Sequence, residues 1–174
     1  MLYLLDASVL ITANNSYYGI DRVPEFWEWL RHVASAGQVK MPLEIYEEIK
    51  DGPKDEDKDL LYGWLQDKAN KDALVLSEQV DETLVQHAVT VGYASDLTDD
   101  EVEQLGRDPF LLSYALAKPS ERCIVTAEVS KPKRTRQNRH LPDVCKSLGL
   151  KSCDIFALNR ALEFRTGWKK TDQR

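Results

Sequence analysis

A run of four apolar residues, Leu2 to Leu5, ends abruptly on a carboxylate, Asp6, and apolar character returns at Val9-Leu10-Ile11 with a different spacing. A run this short with no polar face fits a strand buried on both sides, as inside parallel sheets, and the change of spacing marks a turn from strand into helix. Asp6 then stands at the carboxyl end of a core strand, where an acid beside the apolar interior needs a partner. The alternation recurs. Residues 39–41, 73–76 and 123–126 read as further short strands. Helical spacing predicts helices over 25–36 after Pro24, over 42–50, around 60–65, over 78–94, from Asp108-Pro109 onward, from Pro142, and over 154–165. Strands alternating with helices define an α/β domain with a mainly parallel central sheet flanked by helices. No repeat or linker divides the 174 residues, so a single domain over 1–174 is expected.

Composition narrows the setting. The 43% hydrophobic share is too high for a disordered chain, and the start of the sequence lacks the basic residues of a signal peptide and carries Asp6 in mid-run. No segment has the ~20 apolar residues of a membrane span, so a cytoplasmic protein with no membrane partner is the expectation. Cys123, Cys145 and Cys153 show no C-x-x-C pair and read as reduced packing residues, while His32, His87 and His140 are scattered and read as structural. The polar stretch 51–59 reads as a solvated loop or helix start, and the acidic segment 96–103 as a solvated surface. The net charge of −6 conceals polarity along the chain: residues 1–130 hold 11 basic and 25 acidic side chains, residues 131–174 hold 12 and 4.

Four carboxylates fall where an α/β sheet gathers ligands, outside the carboxyl ends of its strands. Asp6 and Glu128 follow predicted strands, Asp108 opens a helix, and Glu48 lies near the end of the helix after the second strand. Brought together, they form a set of hard oxygen donors whose repulsion a divalent cation, Mg²⁺ or Mn²⁺, relieves, the logic of metal-dependent nucleases. Each also has a plainer reading: Asp108 as a helix N-cap, Glu48 as one of three glutamates with Glu44 and Glu47 on a solvated face, Glu128 as a loop residue. A haloacid-dehalogenase-type phosphatase requires a second Asp two positions after Asp6, where Ser8 stands, and no glycine-rich phosphate loop supports an NTPase.

Four segments in order resemble the PIN-domain nucleases, which include VapC-type toxins: Leu4-Leu5-Asp6-Ala7-Ser8-Val9-Leu10-Ile11, residues 39–50 with the Glu-Ile ending that selects Glu48, Asp108-Pro-Phe-Leu-Leu-Ser-Tyr-Ala115, and Val125-Thr126-Ala127-Glu128. The resemblance implies a doubly wound fold and an acidic Mg²⁺ or Mn²⁺ site of Asp6, Glu48, Asp108 and Glu128, with Thr126 and Ser8 in support. It implies hydrolysis of RNA phosphodiester bonds by metal-activated water, often as the toxin of a type II toxin–antitoxin pair with an antitoxin protein as partner. The rival is a non-catalytic PIN-like module that binds RNA or protein. Glu128 stands where Asp is commoner and Ser8 where many members have Asn, and the chain exceeds compact VapC toxins chiefly between 51 and 107. Tyr17-Tyr18 and residues 24–29 resemble a larger PIN-like subgroup.

Lys131, Lys133, Arg134, Arg136 and Arg139 follow within nine residues and no acid interrupts them. They read either as a solvated run or as an RNA-binding loop beside the metal site, giving salt-sensitive affinity. Tyr17, Tyr18, Trp27 and Trp29 are candidates to stack on unpaired bases, although Trp27 shares an apolar helix face and reads better as core or homodimer packing.

Overall fold

The computed structural model describes residues 1–51 and 56–170. At its centre β1 (Leu2–Leu5) pairs in parallel with β3 (Arg122–Val125), in a register running from Leu2 opposite Arg122 to Leu5 opposite Val125. The short β2 (Val39–Lys40) adds to the free side of β1, and β4 (Lys151–Cys153) to the free side of β3, so the all-parallel order is β2-β1-β3-β4. The strand expected at 73–76 contracts to one parallel bridge between Met41 and Val75. Its first half belongs to a helix, because Asp67 caps that helix through the Asn70 N–H at 3.0 Å and carries it to Leu74. Conversely β4 escapes hydropathy, since Lys151 and Ser152 break its apolar run at the edge of the sheet.

The flanking helices are α1 (Ala7–Thr12), α2 (Pro24–Ser35), α3 (Leu43–Asp51), α4 (Glu56–Gln66), α5 (Lys68–Leu74), α6 (Glu82–His87), α7 (Asp99–Gln104), α8 (Asp108–Ala117), α9 (Leu141–Ser147) and α10 (Ile155–Ala161). Of the polar stretch 51–59, residues 52–55 lie outside the described residues. The helix expected over 78–94 begins later, at Glu82, where Asp81 accepts the Thr83 N–H, and its last turn opens into a π-helix, Ala88–Tyr93. A second π-helix, Ala13–Tyr17, extends α1. The final helix starts from its Asp154 cap as expected and stops at Ala161, short of 165. No helix among the described residues is long and apolar enough to cross a membrane.

Leu4, Leu5, Ile124 and Val125 are fully buried, each worth about 1.5–3 kcal/mol of transfer free energy. Helix α8 is apolar around its whole circumference and packs against β3, α3 and α6, as such a helix must. The aromatics of α2 do not reach solvent. Trp27 and Trp29 are each 2% exposed, and Tyr18 stacks on Phe26 at 4.4 Å between ring centroids. Base stacking by Trp27 and Trp29 is therefore excluded, since the core claims their rings and Trp27 packs within one chain, while Tyr18 is half-buried. Among the described cysteines all three are free thiols, Cys123 and Cys145 buried and Cys153 partly so.

One buried arginine reaches from this core to a carboxylate at the surface. Arg122, 2% exposed, donates to the Tyr114 carbonyl at 2.6 Å and forks onto both oxygens of Glu78 at 2.6 and 2.7 Å. Arg122 holds the Glu78 carboxyl below its ordinary 4.5, so this stabilisation is present above that pH and fades as pH falls below it. Glu78→Gln is expected to lower stability at pH 7 by roughly 1–2 kcal/mol in denaturant titration and to shrink the acid dependence below pH ~4.5.

Candidate active site

From β1 the chain crosses to β2 on one side, and from β3 to β4 on the other, so the crevice of this sheet opens between the carboxyl ends of β1 and β3. Asp6 lies there, 6% exposed, its N–H donating to the Val125 carbonyl at 2.9 Å. It occupies the N-cap of α1 yet makes no side-chain capping bond. Its Oδ2 is instead the acceptor for two hydroxyls, Thr126 Oγ1 at 2.9 Å and Ser8 Oγ. Each hydroxyl accepts in turn from the loop that follows β3: Thr126 from the Glu128 N–H and Ser8 from the Ala127 N–H, both at 3.1 Å. Ser8 and Thr126 thus support the site, and the partner that a buried acid needs consists of these two hydroxyls.

Asp108 reaches the same place from α8. The N-cap of α8 is Arg107, not Asp108, and Asp108 makes no capping bond. Gly106 explains the approach: at the end of α7 it adopts φ +57°, a left-handed conformation that costs glycine little, and the chain turns straight into α8. The Asp108 carboxyl accepts from the Tyr93 hydroxyl at 3.2 Å, and Tyr93 is delivered by the π-helix Ala88–Tyr93. Burial, then Asp6, then Glu128, and finally Glu48 push the Asp108 carboxyl up to about 8, only partly opposed by Tyr93. Glu48 is raised as well, by partial enclosure and by Asp6, with Arg107 pulling it back. All four expected carboxylates therefore act on one another electrostatically. Glu44 diverges towards the Tyr114 hydroxyl, 3.4 Å away, and Glu47 stays in solvent.

Glu128, like Glu48, is exposed. Its Oε2 accepts the Leu141 N–H at 2.7 Å from the start of α9, and His140 Nδ1 lies 3.7 Å away, beyond hydrogen-bond range. Helix α9 is held by close packing on Gly92, where an added Cβ would come within 2.9 Å of Val144 Cγ1. Tyr93, Arg107 and the Leu141 N–H had no sequence motif to reveal them.

The donor set suits a hard divalent cation. Among the described residues, the hydrogen bonds to Asp6, Asp108 and Glu128 each fall on one oxygen, leaving the second of each carboxylate and both of Glu48 for another ligand. As the side chains stand, no group of three or more His, Cys, Asp or Glu among the described residues is placed to hold a metal ion.

The basic loop divides in two. Lys131, Lys133 and Arg134 are exposed. Arg136 is paired with acids of the same chain: it binds Glu101 at 2.7 and 3.0 Å and Asp96 at 2.8 Å. Arg139 is turned inward too, donating to the carbonyls of Gly92 and Asp143 and to Ser147 Oγ. The acidic segment 96–103 is the solvated surface expected, with Asp96, Asp99, Asp100 and Glu103 exposed, and within it Arg136 holds the Glu101 carboxyl down at about 2. Opposite charges far apart in sequence neutralise each other here.

In metal-free protein, the raised Asp108 keeps its proton while the unfolded chain loses one near 3.8, so the contribution of Asp108 to stability is greatest at low pH and declines as pH rises from about 4 to about 8. Asp108→Asn is expected to remove that slope and raise the melting temperature at pH 8, as read by calorimetry across pH 5 to 8.

Residues 3–166 match the model of a family described as a domain of unknown function, DUF4411. No curated protein and no solved structure matches the chain.

Proposed function

The chain belongs to the DUF4411 family, and we propose that it is a divalent-metal-dependent ribonuclease with a PIN-like doubly wound fold. One observation carries the reading: four carboxylates separated by up to 122 positions, Asp6 to Glu128, gather around the switch point of the sheet, where burial and then the charges of the other three push Asp108 up to about 8. Such mutual repulsion disfavours the apo state and favours cation uptake. It has no use in a site built only for packing.

A bound Mg²⁺ or Mn²⁺ supplies the positive charge that activates water and stabilises the leaving oxygen of a phosphodiester. Asp6 and Asp108 would be its inner anchors, with Glu48 and Glu128 closing the donor set. The hydroxyls of Ser8 and Thr126 hold Asp6 Oδ2 at a fixed position, and the Tyr93 hydroxyl orients Asp108. These donors do what second-layer groups do in metal sites generally: they keep ligand oxygens aimed before the cation arrives. The exposed Lys131, Lys133 and Arg134 lie on the strand of chain that leaves Glu128, placed to hold phosphates next to the scissile one.

Purified protein is expected to cleave single-stranded RNA with Mg²⁺ or Mn²⁺, and Asp6→Asn or Asp108→Asn to cut the rate by about 100-fold or more, equivalent to several kcal/mol of lost charge stabilisation. Cleavage that survives both substitutions, or fails with either metal, refutes the enzyme. RNA binding without cleavage would mark a non-catalytic module.

The two halves of the basic loop are separable as well. Replacing Lys133 and Arg134 with Ala should weaken RNA binding and reduce the slope of log affinity against log salt by about 1 for each phosphate no longer neutralised. Arg136→Ala should instead lower thermal stability, because it leaves Asp96 and Glu101 without their cation.

A further inference from the structure

Beside the carboxylates lies a cleft of about 420 Å³ that the proposed chemistry does not use. Thr126 and Glu128 form one wall and so join it directly to the candidate active site, while Val9, Val129, Ile155 and Cys153 make much of the rest apolar. At its mouth stand two aromatic rings that the core has not taken up. Tyr17 is 50% exposed and Phe156 40% exposed, and they meet edge to face with centroids 5.0 Å apart. Val129, on the opposite loop, is 71% exposed.

Exposed aromatics gathered on one apolar cleft, rather than scattered over a surface, mark a binding place. The backbone here is also specialised. The π-helix Ala13–Tyr17 ends on Tyr17, and the next ring, Tyr18, is committed to Phe26 and to the Asn159 amide, which donates to its hydroxyl at 3.0 Å. Insertions of this kind into a helix commonly re-aim a side chain at a functional site. The π-helix Ala88–Tyr93 does the same for Tyr93 on the far side of the carboxylates.

We propose that this cleft is a base-binding subsite: it accepts one unstacked nucleobase of a single-stranded RNA against Tyr17 and Phe156, next to the phosphate presented to the carboxylates. The inference rests on the ribonuclease reading. Three features select this occupant over a protein segment. The cleft shares Thr126 and Glu128 with the carboxylate site, its apolar wall suits a ring face, and the chain leaving it carries Lys131, Lys133 and Arg134 towards solvent, complementary to a phosphate backbone. A paired duplex keeps its bases stacked and offers no ring to the cleft, so single strands are preferred.

The test uses a short single-stranded RNA bearing 2-aminopurine, mixed with the full chain in EDTA so that nothing is cut. Wild type is expected to quench the probe, and Tyr17→Ala or Phe156→Ala to weaken binding about tenfold at an unchanged melting temperature. An oligonucleotide with an abasic site in place of the probe should bind wild type about as weakly as the variants bind the intact strand. Variants that bind as tightly as wild type, or an abasic strand that binds equally well, overturn the subsite and leave the cleft to a protein partner. A nucleoside monophosphate that competes as well as the oligonucleotide also overturns it in favour of a free-nucleotide site. Cleavage of the same RNA with Mn²⁺ is followed in parallel. Quenching that depends on Phe156 without any cleavage keeps the subsite and removes the nuclease; cleavage indifferent to Phe156 and to the abasic site does the reverse.

Discussion

The Thr126 hydroxyl donates to Asp6 and accepts from the Glu128 N–H, and with its counterpart on Ser8 it ties together the two loops that leave the central strands. The rest of the site is arranged around this knot. Pairing of β1 with β3 places the two loops side by side, and the hydroxyls turn that proximity into a fixed orientation of Asp6. An acid 6% exposed at the end of an apolar strand would otherwise carry a desolvation cost of several kcal/mol. The two hydroxyl donors offset part of that cost.

Charge is organised at two levels. Around Asp6 the carboxylates are concentrated and left without a matching cluster of cations, a repulsion that adds to burial in raising Asp108 and Glu48. A few residues further along, opposite charges are matched: Arg136 is shared between Asp96 and Glu101, and Glu101 also completes the capping box of α7 with Thr98. That clamp holds the basic loop against α7 and leaves only its Lys131–Arg134 portion facing solvent. The same residue types therefore give strain in one place and a brace in the other, depending on whether their partners are near in space.

Much of the architecture was legible because local rules govern it. Pro24 and Asp154 set helix starts, Gly37 follows the end of α2, and the apolar runs of β1 and β3 sit in the middle of the sheet. The misjudged elements are those where a neighbour overruled the pattern. Asp67 extended α5 into a predicted strand, and β4 pairs although its sequence is polar, because an edge strand needs only one partner and one buried side. The π-helices were invisible, since one extra residue in a turn leaves hydrophobic periodicity almost unchanged.

By itself the sequence determined the alternating α/β plan, the position of Asp6 at a strand end, Asp108 at a helix start and Glu128 after a strand, because strand length, helix spacing and turn residues act over a few positions; the choice of Glu48 over Glu44 and Glu47 came from the resemblance to PIN-domain nucleases. Only the tertiary structure decided what those acids touch. It turned Asp108 from a helix cap into a carboxyl that feels three others, paired Arg136 and Arg139 with partners of their own chain, and buried Trp29 while leaving Tyr17 exposed. The reason is one of range: Coulomb forces and ring packing act between residues adjacent in space, and 118 residues of chain separate Ser8 from the Thr126 hydroxyl beside it.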